Sequence, residues 1–447
     1  MSGAEPWHGR VVTNSPEAPL GDPPLPRPFG RYVLVDRIGR GGMADIFLAL
    51  DRTQVGALRR VVVKRILPEL SGQPQFAAML VAEAKLAALL RHANIVQVYD
   101  LGRVDEHLFI AMEYVEGFDL HQLLRRLSAG RIPLPVEHAV LVAREVLRAL
   151  DYAHRARDVE GRPLGLVHRD VSPSNVLVSF EGEVKLCDFG IARALGATTS
   201  DESAIARSRV AGKAAYMSPE QARGEPVDGR SDLFAAAILL WELLAGRRMY
   251  RGTDEQLLSL ARAAEVPPLP ARGLPDEQRL HGVLARALAR DPEARFASAR
   301  QMLDALEEWA LGARLLVSPL RLGAFLTEHF ADELVQVRRA RERAAAAAWE
   351  SAGSRADAPP LPAEPETSEI RSVPEVRASG PRDAAAARDP TSVLADRPAS
   401  PSDAERTSQR PSDQPAGEIG VGLRVAFWAF VVGGVLLVVA AVLALLR

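Results

Sequence analysis

Three side chains in the middle of the chain have the types and spacing to hold a metal–phosphate group. Asp170 and Asn175 lie five positions apart in "HRDVSPSN", and Asp188 follows the short apolar run "EVKL" in "CDFG". Two acidic oxygens and one amide oxygen suit a hard Mg²⁺ ion, which keeps several waters and bridges nucleotide phosphates. Upstream, "GRGGMADI" runs from Gly39 to Ile46 between two strand-like stretches. Glycines there let the backbone turn tightly and bring N–H groups close to phosphate oxygens. Lys64 ends the run "VVVK", and its ammonium suits α- and β-phosphate oxygens. Glu83, on the next helical stretch, is its natural partner.

These groups need a scaffold with two characters. From Phe29 to about Gly130 the chain shows β-type runs, "RYVLVDRI", "IFLALD", "RRVVVKRI", "IVQVYDLG" and "LFIAMEYV", interrupted by the helical "QFAAMLVAEAKLAALLRH". From about Val136 to Ala310 helices dominate, with apolar positions at three-to-four spacing in "VEHAVLVAREVLRALDYAHR" and "SDLFAAAILLWELLAG". A β-rich lobe followed by a helical lobe is an α+β fold. Residues 1–28 read as a disordered arm without the pattern of a signal peptide. Residues 311–350 form a helical extension ending in "RRARERAAAAAWE", and 351–420, rich in Pro, Ala, Ser, Arg and Asp, a disordered linker. Val425 to Leu446 holds no charge, and at about 1.5 Å per residue it reaches roughly 33 Å, enough for a hydrocarbon core of about 30 Å. A transmembrane helix is therefore expected over 424–446, with the preceding body on the cytoplasmic side of the inner membrane. Ala429 and Gly433 make a small-xxx-small pair compatible with homodimer contact.

Residues 30–310 resemble the protein-kinase catalytic domain, specifically the bacterial eukaryotic-like serine/threonine kinases. The resemblance rests on "GRGGMADI", "VVVK", "HRDVSPSN", "CDFG", "YMSPE" and "DPEARF" in that order. It implies a bilobal fold, ATP and Mg²⁺ as cofactors, and protein substrates with serine or threonine hydroxyls. Ile38, Gly39, Arg40, Gly41, Gly42, Met43, Ala44, Asp45 and Ile46 would cover the nucleotide. Lys64 would hold the α- and β-phosphates and pair with Glu83, while Asp170 accepts the substrate proton and Asn175 and Asp188 hold the metal. Met112 would be the gatekeeper, with Glu113 and Val115 offering hinge backbone to adenine. Structural roles fall to Asp232, bracing the catalytic loop, and to Glu220, paired with Arg295. Arg169 would couple phosphorylation at Ser203 or Ser208 to order, and tethering would favour autophosphorylation in trans. The alternative from another class is a membrane-anchored pseudokinase that binds nucleotide without transfer.

Three positions depart from the family pattern. Ala44 replaces the third glycine, and Val62 replaces an alanine over adenine. Ser172 stands where serine/threonine kinases carry a lysine that touches the transferring phosphate. Downstream, "GKAAYMSPE" has Lys213 where the family usually has threonine. The pair looks exchanged, with the cation moved to the activation segment. Only four of 55 basic residues are lysine, Lys64, Lys85, Lys185 and Lys213, and a lysine retained against such bias is expected to serve a compact point charge. Lys85 and Lys185 are read as chance. Cys187, the single cysteine, excludes an intrachain disulfide and is expected as a small buried apolar residue. A net charge of −2 gives no electrostatic case for nucleic acid.

Overall fold

The computed structural model describes residues 24–353, apart from 42–43, 53–57, 73, 159 and 190–213. The β-type runs become β2 (Tyr32–Arg40), β3 (Ala44–Arg52), β4 (Leu58–Ile66), β5 (Val98–Val104) and β6 (His107–Glu113). A short edge strand, β1 (Arg27–Phe29), precedes them, and the antiparallel order is β1-β2-β3-β4-β6-β5. The expected disordered arm therefore stops short of residue 28. Pro28 fits there because an edge strand leaves one row of N–H groups outside the ladder.

Period-two alternation decides which side chains face the cleft. In β4, Val61 and Val63 join Tyr32, Phe47 and Phe109 in one apolar cluster. Val62 and Lys64 point to the opposite side. There the sheet also meets Leu80 and Ala84 of α2 (Pro74–Leu89), which follows the single turn α1 (Pro68–Ser71).

The second lobe holds a small sheet of β7 (Gly117–Asp119), β8 (Val176–Ser179) and β9 (Val184–Leu186). Its helices are α3 (Leu120–Ala129), α4 (Val136–His154), α5 (Pro219–Arg223), α6 (Gly229–Ala245), α7 (Asp254–Ala263), α8 (Glu277–Ala287) and α9 (Ala299–Gly312). The apolar positions of α6 do not mark a single face: Leu233 to Leu244 is buried all round, Glu242 included. The reason is position, because α6 is wrapped by α4, α8 and α9.

After α9 the chain turns and enters α10 (Pro319–Gly353), which breaks at Phe330 (φ −133°, ψ 19°). Leu322, Leu326, Phe330 and Leu334, each four apart, are buried against the helical lobe. Gly323 permits the close approach: a Cβ there would lie 2.7 Å from the Phe180 carbonyl oxygen. Among the described residues no helix is long and apolar enough to cross a membrane. The apolar run 425–446 and most of the expected linker lie outside the described residues.

Candidate functional site: a cleft between the lobes

The cleft encloses about 230 Å³. Ile38, Ile46 and Val62 of the large sheet cover it, and Leu177 lies on the opposite wall. Met112, Glu113, Tyr114 and Val115 form the connecting edge, where gatekeeper and hinge were expected. The β2–β3 hairpin closes with Gly41 N–H donating to the Ala44 carbonyl at 2.8 Å. Gly39 and Arg40 pair with Ile46 and Asp45. Gly42 and Met43 lie outside the described residues.

Asp45 needs a correction. Its carboxylate does not line the cleft but is buried on the sheet, 3.1 Å from the guanidinium of Arg65, its cross-strand neighbour. Alternation puts it on the face opposite Ile46, where a buried charge requires a partner.

At the inner end Lys64 Nζ donates to Asp188 Oδ1 at 2.8 Å. Glu83 lies on α2, with its side chain outside the described residues. Phe189 is buried against the His168 ring, centroids 4.5 Å apart, which keeps the preceding Asp188 in the cleft. Asn175 Nδ2 donates to Asp170 Oδ2 at 3.0 Å and to the Asp170 carbonyl at 2.8 Å. Its amide oxygen is the atom that would remain to ligate a metal.

Two site residues take left-handed backbone, Arg169 at φ 64° and Asp188 at φ 57°. For a residue with a Cβ this costs about 1 kcal/mol or more. The surroundings impose it at Arg169. Buried Asp232 accepts from His168 N–H at 2.8 Å and from Arg169 N–H at 2.7 Å, as expected for its bracing role. His154 Nε2 reaches the same carboxylate at 2.8 Å, and Gln221 of α5 donates to the Arg169 carbonyl at 3.0 Å. Burial lowers the Arg169 guanidinium, with Asp232 opposing. Glu220 and Arg295 form the expected buried pair, at 2.7 and 2.8 Å. Ser172 is buried, and its Oγ has no hydrogen-bond partner among the described residues. Lys213, Ser203 and Ser208 lie outside the described residues.

Two sequence readings change. Lys185 is not a chance lysine: its side chain is about 10% exposed and its ammonium sits 2.8 Å from the Glu113 carboxylate, joining β9 to the hinge. Lys85 is exposed, as a chance lysine would be. Cys187 lines the cleft rather than the core, and burial pushes its thiol well up, so it stays protonated.

Asp119, Gln122 and Arg341 also line the cleft and were not anticipated. Asp119 caps α3, accepting from Gln122 N–H at 2.7 Å. Burial pushes its carboxyl up to about 6, against the pull of Gln122 and Arg126. An Asp before an amphipathic run signals a helix start, but nothing local shows that it faces a cleft. Arg341 lies 22 residues after Pro319 in α10, beyond the reach of any local motif.

Mg²⁺ fits the donor set. Among the described residues no group of three or more His, Cys, Asp or Glu side chains could hold a metal alone. One carboxylate and one amide oxygen leave most of an octahedral shell to waters and phosphate oxygens, the arrangement Mg²⁺ favours. Lys64 beside Asp188 supplies the cation that phosphate oxygens require.

Residues 32–306 match the protein kinase domain family. The tyrosine-protein kinase MasK of Myxococcus xanthus is 41% identical over 325 residues, 72% of this chain and 49% of that relative. That alignment takes in more of the chain than residues 1–306 contain, so it runs past the family domain. A probable serine/threonine-protein kinase of Streptomyces coelicolor is 40% identical over 278 residues, 61% of this chain and 39% of that relative. The chain thus spans less than half the length of either. Among solved structures, the PknI kinase domain of Mycobacterium tuberculosis is 33% identical, covering 64% of this chain and 98% of that one, with a TM-score of 0.47. Motifs far apart in sequence meet in one cleft, and the family match takes in more than half of the residues: the chain belongs to the protein kinase family.

Proposed function

We propose that the chain is a membrane-tethered serine/threonine protein kinase, transferring the γ-phosphoryl group of ATP to protein hydroxyls. Its catalytic body would lie on the cytoplasmic side of the inner membrane, anchored through 424–446. The observation that carries this reading is the Lys64–Asp188 contact at the inner end of the cleft, with Asp170 held by Asn175 on the loop that leads to the cleft residues Ser174 and Leu177. Asp170 orients the attacking hydroxyl and takes its proton as oxygen bonds to the γ-phosphorus and the β–γ bridging bond breaks, releasing ADP. Lys64 holds phosphate oxygens. Asn175 and Asp188 would hold Mg²⁺, which supplies charge neutralisation when bound. Lys64, Asp170, Asn175 and Asp188 are all present, which disfavours the pseudokinase reading.

Ser172 removes the family's cation, and Lys213 is proposed to replace it from the activation segment. The Ser172 hydroxyl, without a hydrogen-bond partner among the described residues, supports a role in receiving that neighbour. Lys213→Met is expected to lower kcat by about 10²–10³-fold, the size of one lost electrostatic donor. The restored pair Ser172→Lys/Lys213→Thr should recover most of it. Full kcat in the methionine variant ends the idea, with the double-mutant coupling as the quantity to read.

Pro173 in "HRDVSPSN" supports serine and threonine as acceptors. The Myxococcus relative's designation as a tyrosine kinase makes this worth direct test. Full-length protein in liposomes, given [γ-³²P]ATP and a generic protein substrate, should yield phosphoserine and phosphothreonine. Autophosphorylation is expected within 191–212, at Ser203 or Ser208. Phosphotyrosine as the main product would overturn the acceptor assignment, and no labelled product at all would overturn the kinase reading.

A further inference from the structure

The helix after the family domain does not end at the helical lobe. Its first half is anchored there by Leu322, Leu326 and Phe330, with the Phe330 ring 5.5 Å from that of Phe118. Arg126 of α3 donates from Nη2 and Nε to Glu333 Oε1, at 2.7 and 2.9 Å, and from Nε to Oε2 at 3.2 Å. The break at Phe330 lets the second half run along the hinge. There the inward residues change from apolar to basic. Arg338 Nη2 lies 2.8 Å from the Glu116 carboxylate, and Arg341 donates to the Tyr114 hydroxyl. From the sheet side Arg60 meets the same two hinge residues, 3.6 Å from Glu116 and 5.8 Å over the Tyr114 ring. Four residues past Arg341, Ala345 packs on Val33, Val35 and Leu50 of the sheet lobe.

One helix thus touches the helical lobe, the hinge and the sheet lobe in succession, and Arg341 is itself a wall of the cleft. Its Nε is buried without an acceptor among the described residues. We propose that α10 is part of the nucleotide site: a strap that joins the lobes across the hinge, with Arg341 as its pocket residue, so that its docking sets how tightly nucleotide is held. This rests on reading the cleft as a nucleotide site. Nucleotide leaves such a cleft when the lobes part, and a strap fixed to both resists that opening.

The test uses full-length protein in detergent micelles and Mg²⁺–ADP as the probe, with its Kd and dissociation rate, and with KM for ATP against kcat. The variants are Arg341→Ala in the pocket wall, and Arg338→Ala and Ala345→Arg. The last two act only through docking. Each should raise Kd and the dissociation rate 3–10-fold, and raise KM with kcat within about twofold. Arg338→Lys, which keeps the ion pair, should stay near wild type. Wild-type protein that binds no Mg²⁺–ADP defeats the nucleotide reading. Wild type that binds, with all three variants within twofold of it or tighter, defeats the strap. A fall in kcat at unchanged KM defeats it too, because that marks general damage.

Discussion

Asp170→Asn is expected to cut kcat by about 10³–10⁴-fold while leaving nucleotide affinity within about threefold. Loss of a positioned general base costs about 10²–10⁴ in rate, and phosphoryl transfer depends chiefly on positioning. Asparagine is nearly isosteric and can offer its amide oxygen to Asn175 Nδ2 as Asp170 Oδ2 does. The Asp170 N–H keeps its bond to His168 Nδ1, and the brace from Asp232 to the two preceding residues is untouched. The variant therefore isolates the carboxylate's charge and proton affinity from the fold. Labelled phosphate transfer measures the first quantity, and equilibrium Mg²⁺–ADP binding the second. A variant that kept more than a tenth of wild-type kcat would show that Asp170 is not the group that takes the proton.

Arg295→Ala is expected to destabilise the folded domain by about 3–5 kcal/mol, the range for removing one partner of a buried ion pair. Arg295 is 2% exposed, and all five of its N–H donors are used. Two go to the Glu220 carboxylate and three to the carbonyls of Ala289, Arg230 and Arg290. Truncation would leave the Glu220 carboxylate buried without its cation, and lysine, a single point, could not restore the fork. Burial pushes the Glu220 carboxyl up, but the bonds from Arg295 and Ser231 outweigh it and hold it at about 2. The sign follows. A depressed carboxyl stabilises the fold above its unfolded value of 4.5 and loses that contribution as pH falls toward 2. Urea unfolding at pH 7 should therefore separate wild type from Arg295→Ala most, and the gap should narrow below about pH 4.5. A gap under 1 kcal/mol at pH 7, or one that widens in acid, would contradict the assignment. Because α5 also carries Gln221, which bonds the Arg169 carbonyl, the same change should loosen the catalytic loop.

The misreadings have one kind of cause. Lys185 was judged from composition and Asp45 from its place in a glycine-rich motif, and in both cases the partner lies across the fold. Lys185 meets Glu113, 72 positions away in sequence, and Asp45 meets Arg65 on the facing strand. In α6 the helical spacing told the element but not its surroundings, since a helix surrounded by others buries every face whatever its period.

Local chemistry was enough for the lobes and for the proposed phosphate-handling groups. Strand alternation, helical period, glycine spacing and the order of Lys64, Asp170, Asn175 and Asp188 are short-range properties, set by backbone sterics and by the few side chains that phosphate chemistry tolerates. What tertiary structure alone decided is which distant charges meet. It turned Asp45 away from the cleft, brought Lys185 to the hinge, and carried Arg341 of α10 to the pocket wall. The physical reason is that an ion pair or an apolar contact acts over a few ångströms in space and is indifferent to separation along the chain, so the folded path of the backbone assigns the partner.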